Sequence, residues 1–135
     1  MFYDYSITIP AGTPESSPEE VELKLVHGVI HTVRIDIPTG SRGEVHLVIY
    51  RAEHQLYPTN PDGTFNTDGR YIEFPDIVEL DAAPFSLIAR GWSPDADYDH
   101  TYHIEIGIVE SKFALASLKV AQGIEKFLKL IGIGV

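Results

Sequence analysis

Between Val21 and Ile37 the chain keeps a single rhythm. Val21, Leu23, Leu25, His27, Val29, His31, Val33, Ile35 and Ile37 all fall on odd positions, with mostly polar residues between them. A period of two sends successive side chains to opposite faces of an extended chain. Such a run suits a half-buried strand and spoils the one-sided face that a helix needs. It is also longer than a usual strand, so it needs a bend or a break. Gly28 lies in the middle and is the expected site of a bulge. The phase is kept across Gly28, which predicts one bent strand rather than two.

Weaker copies of this rhythm occupy most of the chain. Tyr3, Tyr5, Ile7 and Ile9 alternate with polar residues until Pro10, and residues 11–20 read as a polar loop. Pro38 to Gly43 is a turn, followed by alternation at Val45, Leu47 and Ile49. A short edge strand is expected around Gln55–Tyr57, then a long loop over 58–70. Tyr71–Phe74 and Ile77–Leu80 read as two short strands divided by Pro75. Ser86–Trp92 is another, and an acidic loop over 93–100 leads to Tyr102, Ile104, Ile106 and Ile108. The expected fold class is all-β: an antiparallel β-sandwich or jelly roll of roughly seven or eight strands, with no helix between them.

Near residue 110 the rhythm changes. Phe113, Ala116, Val120, Ile124, Phe127 and Ile131 recur at steps of three and four, and Lys112, Lys119, Lys126 and Lys129 lie off that stripe. This predicts one C-terminal amphipathic helix, about 30 Å long for about 20 residues. Gly123 weakens its middle. The chain therefore divides into a sandwich domain over 1–109 and a helix with an apolar tail over 110–135. A closed sandwich already buries its inner faces, so such a helix has little core left to cover. Its stripe is the expected oligomer interface.

Charge supports contact between copies. The chain carries −10 overall, yet the segment from Glu110 to Ile131 sets four lysines against two glutamates, a net of +2, leaving −12 elsewhere. Opposite charges on helix and body favour protein–protein contact. So acidic a body repels phosphate backbones, and no nucleic-acid partner is expected. Cysteine is absent, which excludes disulfides, thiol catalysis and cysteine-ligated zinc. The N-terminus lacks the basic and apolar regions of a signal peptide. No window is long enough for a membrane helix, so a soluble chain made in the cytoplasm is expected and a membrane partner is not.

Motifs that carry chemistry are sparse. There is no G-x-S-x-G, P-loop or G-x-G-x-x-G, and carboxylates are scattered, so no enzyme and no cofactor are expected. His27 and His31 stand about 13 Å apart on an extended strand, too far for one metal unless the bend at Gly28 folds them together. Asn60, Asp62, Asn66 and Asp68 place oxygen donors at alternate positions around Gly63, as in a calcium loop. The first donor is Asn, carboxylates are few and no closing Glu follows, so an Asx-turn loop is the plainer reading. Trp92, Tyr57 and Tyr98 fall near strand ends and could stack on sugar faces. A carbohydrate-binding β-sandwich is the alternative to an assembly protein.

The run from Val21 to Ile49, an alternating strand through Gly28, then Pro38-Thr39-Gly40-Ser41-Arg42-Gly43 and a second alternating strand, resembles small uncharacterised β-sandwich proteins of phage structural modules. Gly91-Trp92 and Asp99-His100-Thr101 add to the likeness, which spans residues 3–109. It implies a self-assembling virion protein: a decoration, minor capsid or tail-associated subunit. Its partners would be copies of itself and other particle subunits, and its place the virion, after synthesis in the host cytoplasm. The resemblance transfers no functional residues.

Overall fold

The computed structural model describes residues 1–130 and Gly132, and of Phe127 and Leu128 it describes the backbone alone. The elements in order are β1 (Phe2–Ile9), β2 (Glu19–Leu23), β3 (Gly28–Asp36), β4 (His46–Arg51), β5 (His54–Tyr57), β6 (Tyr71–Leu80), β7 (Leu87–Trp92), β8 (His100–Val109) and α1 (Lys112–Leu130). One sheet runs β1-β8-β3-β6 and the other β2-β7-β4-β5. Every pairing is antiparallel. Ile7, Ile9, Val33, Ile35, Ile104 and Ile106 from the first sheet meet Leu23, Leu47, Ile49, Leu87 and Ala89 from the second in one dry cluster. Apolar burial of this kind is the main drive to fold.

The long odd-position run is two strands rather than one bent strand. β2 lies in one sheet and β3 in the other, with residues 24–27 crossing between them. Gly28 opens β3 at φ +157, and a Cβ there would stand 2.5 Å from the Val109 carbonyl oxygen. The bulge comes three residues later than expected: the register of β3 shifts between Ile30 and Thr32, against both β6 and β8. Inward parity therefore switches from Ile30 to Val33 and Ile35, all three fully buried. His31, expected on the inward parity, instead touches Phe2, which lies on the exposed parity of β1.

A second difference concerns Pro75. Tyr71–Leu80 is one strand, not two. β6 is an edge of its sheet, and a residue without an N–H is tolerated where no neighbour asks for one. Two ties close the sandwich. The Tyr102 hydroxyl donates to the carbonyls of Val45 at 3.0 Å and Phe65 at 3.2 Å. The Arg51 guanidinium donates to the carbonyls of Glu79 and Ala82 at 3.2 and 3.0 Å.

The pairings make the molecule two-ended. Ile9 faces His100, Asp36 faces both Tyr71 and His103, and His46 faces Trp92. The connections over 10–18, 37–45, 58–70 and 93–99 therefore gather at one end. They hold seven carboxylates against Arg42 and Arg70. The short connections lie at the other end, where β8 hands over to α1.

Candidate functional site

Ser111 caps α1: its hydroxyl accepts the Ala114 N–H at 3.2 Å and its carbonyl accepts the Leu115 N–H. Capping of this kind satisfies amides that have no partner within the helix. Lys129 stands in the last turn, where a cation suits the helix dipole, and it pairs with Glu125 one turn earlier at 3.2 Å.

The helix docks by its first turns on the outer face of the β3–β6 side. Leu115 is 6% exposed, and with Lys119 it shares a groove with His31, Pro75, Asp76 and Ile77. The Lys112 ammonium pairs with the Glu79 carboxylate of β6. His31 is held below the usual histidine range, first by burial and then by the Met1 ammonium and Arg34. The sandwich thus gives the helix an outer surface to cover. Leu115 does the covering, and Leu118, three residues on, is half-buried. Their spacing of three was the available signal, masked by the longer stripe beside it.

That stripe points elsewhere. Phe113 is 82% exposed, Val120 61% and Ile124 56%, and Ala116 is exposed as well. Leu115 lies two residues from Phe113, about 200° round the axis at 3.6 residues per turn. Seating Leu115 therefore turns the stripe to solvent. Of the other two expected interface residues, the side chain of Phe127 and all of Ile131 lie outside the described residues.

At the loop end the calcium-loop residues part company. The Asp68 carboxylate accepts the Gly40 N–H at 2.7 Å and so braces the 37–45 turn. The Asn60 carboxamide packs against Gly63, where any Cβ would collide with it. Asp62 and Asn66 face a groove. Among the described residues no three of His, Asp and Glu gather to hold a metal ion.

The three aromatic candidates do not share a surface. Tyr57 is buried, and its hydroxyl donates to Asp76 at 2.8 Å, so it offers no ring face to a ligand. Tyr98 is exposed and lines a cleft at the mouth of the sandwich, beside Arg42, Asp97 and His100. Trp92 lines a different hollow, a groove of about 450 Å³ on the outer face of β2-β7-β4-β5. Its indole stacks on His46, with centroids 5.7 Å apart and planes 15° apart. His46 Nδ1 in turn meets the Thr64 hydroxyl at 2.8 Å. Tyr50 stands farther along the groove under the Arg90 guanidinium. Gln55 fastens the overhanging loop by donating to the carbonyls of Pro58, Asn60 and Gly63.

No protein-family model matches the chain. No curated protein matches it either. Among solved structures it is similar to a de novo designed double-stranded β-helix determined by solution NMR, with a TM-score of 0.38 and 15% identity over 78% of this chain and 99% of that one.

Proposed function

We propose that this chain is a structural subunit that assembles with copies of itself through the outward face of α1. One observation carries the reading: a helix seated by Leu115 leaves Phe113, Val120 and Ile124 in solvent on a single stripe. An apolar surface of this kind is a liability unless something covers it. The occupant is a second copy. Residues 112–130 set four lysines against Glu125, a net of +3, so the rest of the chain carries −13. Two stripes meeting about a twofold axis form a self-complementary contact. The flanking lysines then reach the acidic surface of the partner.

The strand order, β1-β8-β3-β6 over β2-β7-β4-β5, supports reading the sandwich as a jelly roll, an architecture used by capsid and lectin domains alike. Together with the phage-like sequence pattern it supports a virion role, as a decoration, minor capsid or tail-associated subunit that also contacts other particle proteins. No described helix is long and apolar enough to cross a membrane.

Sedimentation of the full chain beside a Val120→Asp, Ile124→Asp double variant tests this. The unaltered chain should form a dimer or larger species, and the variant should run as a monomer with the same far-UV spectrum. A monomeric unaltered chain at its highest soluble concentration sinks the reading. So does a monomer that floats with anionic vesicles.

A further inference from the structure

We infer that the groove beside Trp92 is a binding site for a neutral saccharide. The groove lies on the opposite sheet from α1, so the site does not rest on the assembly reading. Its volume of about 450 Å³ falls within the range of small-ligand pockets, about 300–1,000 Å³.

Two aromatic rings, Trp92 and Tyr50, stand in a groove whose other lining is largely polar. His46, Val48 and Tyr50 project outward from β4, while Leu47 and Ile49 point into the core. Val48 is nevertheless only 1% exposed. Its neighbours cover it, so the surface offered to a ligand is that of the rings and the polar side chains around them. On one side the indole of Trp92 is backed by His46, which Thr64 holds in place. On the other Tyr50 is held by Arg90, which is itself paired with Glu20 at 2.9 Å. Both rings are thereby oriented before any ligand arrives, which lowers the ordering cost of binding.

The rim supplies the polar half. Glu15 comes from the 10–18 loop, Asp62 and Asn66 from the 58–70 loop, and all three are exposed. Among the described residues none of these three side chains makes a hydrogen bond or an ion pair with another side chain. No Lys or Arg lines the groove, and Arg90 behind Tyr50 is already paired with Glu20, so Glu15 and Asp62 at the rim disfavour phosphates and other anions. What fits is a molecule with C–H faces for the rings, hydroxyl donors for the two carboxylates, and mixed donors and acceptors for the Asn66 carboxamide. A neutral sugar carries all three on one frame.

Trp92 is the single tryptophan of the chain, so its fluorescence reads this groove in the unaltered protein. A glycan array of neutral oligosaccharides is screened with the full chain, and the strongest binders are titrated against Trp92 emission. The expected result is a saturable emission change with the selected sugars. Asp62→Asn, an exposed change that leaves the fold intact, should weaken binding about tenfold, the effect of about 1.4 kcal/mol. On the array, which needs no tryptophan emission, Trp92→Ala should lose binding, while Tyr98→Ala, outside the groove, and the Val120→Asp, Ile124→Asp variant should keep it. An array without binders overturns the proposal. So do selected sugars that leave Trp92 emission unmoved, affinity indifferent to Asp62→Asn, or saturation by a lysine-rich peptide and not by any sugar.

Discussion

Phe113 and Leu115, two residues apart on α1, meet opposite environments: the first is 82% exposed and the second 6%. The packing of one dictates the solvation of the other, because both ride on the same rigid turn. Leu115→Ala should therefore loosen the helix from β3 and β6 and lower stability by about 2 kcal/mol, the low end for a buried leucine. Phe113→Ser should change monomer stability by less than about 0.5 kcal/mol. Urea melts of both variants, followed by circular dichroism, separate the two roles.

Two phenols make the fold sensitive to alkali. Burial pushes Tyr57 and Tyr102 far above the ordinary tyrosine range, and Asp76 adds to the shift at Tyr57. With the folded pKa raised, each phenol keeps its proton where the unfolded chain has lost it. Their contribution is fully present below pH 10.0, the ordinary value for tyrosine, and is lost as pH rises above it. The slope should approach about 1.4 kcal/mol per pH unit for each group. Tyr57→Phe should remove one such contribution, visible as a shallower fall of denaturation midpoints above pH 10.0.

His31 acts in the other direction. Its folded pKa is depressed, so the unfolded chain takes up a proton more readily. Stability should hold above pH 6.5, the ordinary value for histidine, and decline as pH falls below it. Burial disfavours the charged ring first, and the Met1 ammonium and Arg34 then make another cation unwelcome, with Lys119 across the groove on α1 and Asp76 as the opposing charge. Thermal melts between neutral and mildly acid pH should show His31→Gln with a flatter profile than the unaltered chain.

Glycine has opposite meanings at two positions. Gly28 combines a φ of +157 with backbone pressing on the site of its missing Cβ. Gly28→Ala should cost about 2–4 kcal/mol through strain and overpacking. Gly123 has open space around it and sits inside an exposed stretch of α1. Gly123→Ala should raise helicity and add up to about 1 kcal/mol. Circular dichroism at 222 nm and melting curves of the pair check both signs.

Tyr102 joins two connections that are distant in sequence. Its hydroxyl proton is shared between the carbonyls of Val45 and Phe65, so Tyr102→Phe should remove that donor from both, the Phe65 carbonyl keeping the Leu47 N–H. A loss of about 1–2 kcal/mol is expected, with faster amide exchange around Leu47 and Phe65, which pair with each other.

Much of this architecture was legible in the order of residues. Alternation marked the strands, and the change of rhythm near residue 110 marked the start of α1, because burial on one face imposes a period that each backbone form sets for itself. The division of β2 from β3 was not legible: both send side chains into the same core, so their phases agree by coincidence of packing. The bulge at His31 was hidden too, since an extra residue depends on what the partner strands allow. At the candidate sites, the outward stripe of α1 was readable from spacing. The separation of Trp92, Tyr57 and Tyr98 was not, because strand ends near in sequence can point into a core, a groove or open solvent.

Local rhythm, charge segregation and the absence of catalytic motifs were thus properties of the chain alone, being set by period and composition over short stretches. Which leucine seats the helix, which tyrosines are buried, and which carboxylates rim a groove were decided by tertiary structure. Those outcomes depend on contacts between segments up to a hundred residues apart, such as Ile9 beside His100, and no short-range pattern encodes them.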